Sequence, residues 1–79
     1  SDWAPLHLCA YWGHVDIVQK ILEDSKVNVH KKIPSGSTPL IIAQQPVPWH
    51  LPNKEHIENC RLAIVDLIMD FMLDSQVHL

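Results

Sequence analysis

The chain has 79 residues, 47% of them apolar, and a formal net charge of −3. That length supports one small domain at most, because so short a chain buries only about 60% of the surface it exposes when unfolded. The mild acidity, with no basic run longer than Lys31-Lys32, lacks the electrostatic footprint of a nucleic-acid or acidic-membrane binder.

Ser1-Asp2-Trp3 is neither basic nor followed by an uninterrupted apolar core, so it does not read as a secretory leader. The first expected helix opens at Ala4-Pro5. Proline loses nothing at the first helical position, but alanine has no oxygen to cap the free N–H groups, which leaves the first turn open to fraying. Val15, Val18, Ile21 and Leu22 fall at helical spacing and mark the buried face of a second helix. Asp24-Ser25 ends it without the usual glycine. Val27-Asn28-Val29 reads as a short extended arm and Ile33-Pro34-Ser35-Gly36 as a turn. Thr38-Pro39 then opens a third helix, this time with a capping hydroxyl.

Pro46-Val47-Pro48-Trp49-His50-Leu51-Pro52 follows, and its three prolines forbid a continuous helix and favour an extended path. Asn53 is a candidate cap for a helix from Lys54 onward. Ile57, Cys60, Ile64, Ile68 and Phe71 share a face, so one helix could run unbroken to about Leu73. Alternatively, a break near Arg61 leaves a short helix followed by a regular one. Val65, Ile68, Phe71 and Met72 mark the buried face of this last segment, and Asp74-Ser75 its expected end. Leu67, Ile68, Met69, Phe71, Met72 and Leu73 make it apolar almost all round, the pattern of a buried helix.

The chain repeats itself. Ala4-Pro5-Leu6-His7-Leu8-Cys9-Ala10 aligns with Thr38-Pro39-Leu40-Ile41-Ile42-Ala43-Gln44, about 34 positions on. The stretch from Val15 to Val27 aligns with Val65 to Val77, about 50 positions on, with Val, Asp, Asp, Ser and Val coinciding. Two copies of one helix-turn-helix unit are therefore expected, the second carrying roughly 16 extra residues between its halves. Each copy needs a stacked neighbour, so the chain reads as a cut through an array whose next arm would begin at Val77-His78-Leu79. A natural end covered by a partner or a second chain is the alternative.

The run from Ala4 to Val18, with Gly13-His14 at its turn, resembles the ankyrin-repeat signature, and Gly36-Ser37-Thr38-Pro39-Leu40-Ile41-Ile42-Ala43 resembles the opening of the next repeat. The resemblance implies an all-α ankyrin-repeat solenoid, its two helix-turn-helix units joined by a β-hairpin-like loop. It places repeat 1 at about residues 2–35 and repeat 2 at about 36–79, with an insertion at about 45–61. Three places depart from the family pattern: Ala4 for the capping Thr, Ile41 for the His, and the missing Gly-His turn in the second copy. At His7 and His14 the resemblance implies imidazoles that tie the loops of adjacent repeats by hydrogen bonds.

Little else in the sequence carries chemistry. Cys9 and Cys60 are too few for a disulfide scaffold and are read as reduced thiols of a cytoplasmic or nuclear protein. No stretch reaches the ~20 apolar residues of a membrane span. His50, His56 and Cys60 are ligand types that zinc accepts, but three candidates at this spacing match no closed four-ligand site, so no metal is expected. His30 and His78 sit on the arms and carry no assignment. Ser35 and Ser37 have no glycine elbow and no enclosing pocket, and two glycines make no nucleotide cradle. Neither an enzyme nor a cofactor is expected.

The resemblance instead implies a protein-interaction module, with recognition at the hairpin tip and the C-terminal end of the first helix, on a concave surface. Those positions hold Trp3, Tyr11 and Trp12 in the first copy, and Lys31, Lys32, Ile33, Gln44 and Gln45 in the second. Ser35 and Ser37 lie on the same finger. Aromatic residues are favoured anchors because they bury a large area with few rotors to freeze. Packing on an adjacent hairpin is an equal reading for Trp12 and the leading one for Trp3. Trp49 in the insertion is a further contact candidate. The partner is another protein, with further repeats or a partner covering the apolar end helix. The rival reading is a structural segment packed inside a larger protein or complex.

Overall fold

The computed structural model describes residues 2–24 and 26–77, and side chains no further than Asp74. The expectations placed on Ser1, Ser25, His78, Leu79 and the Ser75 side chain therefore lie outside the described residues. The chain is all-helical: α1 spans Pro5–Trp12, α2 Val15–Leu22, α3 Pro39–Gln44 and α4 Lys54–Val77. No strand occurs among the described residues. The helices pair in chain order, α1 with α2 and α3 with α4, and the two pairs meet where α1 packs on α3 and α2 on α4.

Ala4 supplies no cap, yet α1 is not left loose at its start. The Nδ1 atom of His7 accepts the Ala4 N–H at 3.2 Å, which satisfies the entry from the third helical position instead. At the other end Gly13 adopts φ 78, and its N–H and that of His14 both donate to the Cys9 carbonyl at 2.9 Å. This left-handed closure gives the tight turn into α2. Asp24 ends α2 as expected: its carboxylate accepts the Lys26 N–H at 2.9 Å, and its carbonyl the Val27 N–H at 3.1 Å.

The arm is irregular rather than extended, while Ile33-Pro34-Ser35-Gly36 makes the expected turn, the Gly36 N–H donating to the Ile33 carbonyl at 2.8 Å. Ile33 N–H donates to the Ser37 carbonyl at 3.0 Å, and Val29 and Ile33 are buried beneath. Thr38 caps α3 as its sequence requires, its hydroxyl accepting the Ile41 N–H at 3.2 Å.

Two expectations about the last helix are corrected. It does not stop at Asp74-Ser75 but continues to Val77, since no glycine or proline there halts it. Asn53 does precede it, but with φ 58 rather than the extended backbone of a capping residue. Of the two courses open through the insertion, the unbroken helix is the one adopted. Its 24 residues make a rod about 36 Å long. The inner side, Ile57, Arg61, Ile64 and Ile68, is buried. Leu6, Cys9, Ala10, Val18, Ile42 and Ala43 join Ile64 and Ile68 in the core.

Candidate functional site

Three surfaces gather the side chains singled out by the sequence. The first is an aromatic wall on α1. Trp3 meets Tyr11 edge-on at 5.8 Å between ring centroids, and Tyr11 meets Trp12 edge-on at 4.9 Å. These spacings are the favoured edge-to-face arrangement of aromatic quadrupoles. With Leu8 the three rings line an open hollow of about 380 Å³. Trp12 and Leu8 are exposed, while Trp3 and Tyr11 are half-buried.

Beside the wall, Trp3 also lines a second hollow of about 480 Å³ with Asp2, Lys31, Lys32, Ile33 and Pro34. The wall and the lysine pair are thereby contiguous. Lys31 and Lys32 are exposed as a contact surface requires. Ile33 is not: at 7% exposure it anchors the loop in the core, which corrects its assignment as a recognition residue. An isoleucine flanked by two lysines and a proline is the apolar pin of its loop.

The wall is held from behind by a residue that sequence reasoning passed over. Arg61 is 3% exposed. Its Nε and Nη2 donate to the Tyr11 carbonyl at 3.0 and 2.8 Å, and Nη1 donates to the carbonyls of Gln45 at 2.9 Å and Pro46 at 3.4 Å. Its guanidinium also lies 4.9 Å from the centre of the Tyr11 ring. One cation thus closes the C-terminal ends of both α1 and α3, where helices leave carbonyls unpaired and the dipole favours positive charge. Burial lowers the Arg61 pKa, and Tyr11 partly offsets this. The signal was present: Arg61 falls on the buried stripe, four residues after Ile57 and three before Ile64. A buried arginine with no acid on its own stripe points to carbonyl partners.

His7 is fully buried and ties α1 to the loop that follows α2, its Nε2–H donating to the Lys31 carbonyl at 2.9 Å. With Nδ1 accepting from Ala4, these partners assign the neutral Nε2–H tautomer. His14 does not share that role: it is exposed and makes no side-chain hydrogen bond among the described residues.

The third surface is a groove of about 510 Å³ between α3, the insertion and α4. Gln44, Gln45, Lys54 and Glu58 rim it, over Ala43, Val47, Leu62 and Val65. Trp49 belongs to none of these surfaces. It stands 86% exposed at the tip of the insertion, edge-on to His50 at 5.7 Å.

The candidate metal ligands do not converge. His56 Nε2 lies 3.6 Å from Cys60 Sγ, one helical turn apart, while His50 turns to Trp49. Among the described residues no three His, Cys, Asp or Glu side chains could hold an ion. Ser35 and Ser37 hydrogen-bond each other on the exposed turn. No helix among the described residues is long and apolar enough to cross a membrane.

No curated protein and no solved structure matches the chain. The family model described as Ankyrin repeat matches residues 1–32. Ankyrin repeats are a non-enzymatic fold and generally serve as protein–protein interaction modules. The matched stretch, the first helix pair with its Gly13 turn and the start of the following loop, is similar to an ankyrin repeat.

Proposed function

We propose that the chain binds another protein across the concave wall of Trp3, Tyr11 and Trp12 and the adjoining Lys31-Lys32 loop. The observation that carries this is Trp12: 43% exposed, yet braced edge-on by a Tyr11 that Arg61 and Trp3 hold in place. An exposed aromatic ring fixed before contact loses little freedom on binding, and such residues dominate interface energetics. The two thiols are free, which supports a cytoplasmic or nuclear setting for this role.

A second reading has its own observation. Ile42, at the register position of Leu8, is 2% exposed beneath the first copy, whereas Leu8 and Ile17 are 47% and 49% exposed. A preceding repeat would cover both, and the segment would then be structural. Ile17 separates the readings, since it lies on α2, away from a ligand on the wall. Binders selected from a displayed library of peptides and small domains should lose at least tenfold in affinity with Trp12→Ala, the melt staying in place, and nothing with Ile17→Ser. Equal dependence on Ile17 would favour stacking. Should Trp12→Ala lower the melt as far as Ile64→Ala does, Trp12 is packing and the wall is not a recognition surface.

A further inference from the structure

α4 carries two stripes of side chains, one buried within the chain and one left partly open. The inner stripe, Ile57, Arg61, Ile64 and Ile68, is buried against the other helices. The outer one, Leu62, Val65, Met69 and Met72, repeats at intervals of three, four and three residues, the seam by which one helix packs along another. Leu62 is 66% and Met69 46% exposed, while Val65 and Met72 are half-buried against the core. Leu62 and Val65 also line the groove of about 510 Å³ beside α3, so seam and groove form one continuous surface.

We infer that this surface receives a basic amphipathic helix from another protein. Two observations select that occupant. First, the first copy holds the loop that follows it through the His7-to-Lys31 carbonyl bond, and the second copy has Ile41 at that position, 40% exposed and without a donor. A further repeat would find no such tie here. Second, the exposed charged side chains beside the seam are, Lys54 apart, all acidic: Glu58, Asp66 and Asp70. The one base on that side, Lys54, pairs with Glu58 at 3.6 Å. A second copy of this chain would set acid against acid, whereas lysines or arginines flanking an apolar seam would complement it. The seam from Leu62 to Met72 spans about 15 Å, or some three turns of a partner helix.

The surface lies on the opposite copy from the aromatic wall, so it can fail without affecting the binding reading above. The test is titration of the 79-residue chain with three labelled synthetic peptides, followed by fluorescence anisotropy. One is helical, with leucines at three- and four-residue spacing among lysines. The second has the same composition in scrambled order, and the third carries glutamate in place of lysine. The first should bind at least tenfold more tightly than the other two. Leu62→Ser and Met69→Ser should each cost at least tenfold without moving the melt, Ile17→Ser should cost nothing, and Asp66→Lys with Asp70→Lys should shift preference to the glutamate peptide. Equal binding of the ordered and scrambled lysine peptides, or binding indifferent to Leu62→Ser and Met69→Ser, overturns the inference. A chain that sediments as a dimer until Met69→Ser is introduced also overturns it, in favour of a second copy.

Discussion

A guanidinium buried with no carboxylate beside it is tolerable only where other acceptors replace water, and Arg61 finds them in the carbonyls of Tyr11, Gln45 and Pro46. Arg61→Met should therefore cost about 2–4 kcal/mol in urea unfolding, because the freed carbonyls stay buried without donors. Arg61→Lys should recover less than half of that, since an ammonium cannot span two helix ends with a planar fork. A cost below about 1 kcal/mol for Arg61→Met would show that water replaces the clasp. The thiols differ for a related reason. Burial raises the Cys9 pKa and hides its sulfur, whereas Cys60 is half-buried beside His56. At neutral pH an aromatic disulfide reagent should label Cys60 first, and Cys9 only as the chain opens. A fast phase that survives Cys60→Ser would reverse this order. Arg61's place on the buried stripe was legible in the sequence. Its partner Tyr11, 50 positions away, was not.

The elements owe their ends to particular residues, and two of these make sharp tests. Gly13 has φ 78, and a Cβ there would sit 2.8 Å from the Cys60 Cβ where α4 crosses the α1–α2 turn. Gly13→Ala should cost roughly 2–3 kcal/mol, above the ~1 kcal/mol of backbone strain alone. Cys60→Ser should not relieve it, since serine keeps the Cβ. Equal melting of Gly13→Ala and the parent chain would place α4 farther off. Ala4→Thr tests the entry to α1. Thr38 shows the bond that threonine makes at this position, and His7 already accepts the Ala4 N–H. Completing the reciprocal cap should stabilise the chain by about 0.5–1 kcal/mol in the same denaturation assay. An unchanged or lower midpoint would mean His7 alone satisfies the helix start. Cap chemistry, being local, was readable residue by residue. The closeness of α4 to Gly13 belongs to packing.

At the scale of the whole molecule, the two helix pairs leave apolar residues exposed: Leu8 and Ile17 on α1 and α2, Leu62, Met69 and Leu73 on α4. A short chain that leaves this much apolar surface in water is marginally stable. Melting of the isolated chain, followed by circular dichroism, should be broad and low. A sharp transition above about 65 °C, the upper end for ordinary mesophile domains, would show that the long α4 and the Arg61 clasp make two copies self-sufficient.

The sequence by itself determined the helical class, the Thr38 cap, the Gly13 turn and the start of α4, because each depends on spacing or on chemistry within a few residues. It also placed Trp12, Lys31 and Lys32 correctly at the surface. Only the tertiary structure decided that α4 runs through Asp74, that Ile33 is a buried pin and that Arg61 joins α4 to the ends of α1 and α3. Periodicity marks which side of a helix is apolar but not which neighbour covers it. An arginine on a buried stripe has several possible acceptors until packing sets one pair of helix ends against it. The long helix, the buried loop and the two-ended clasp are choices among locally equivalent options, and long-range contacts make them.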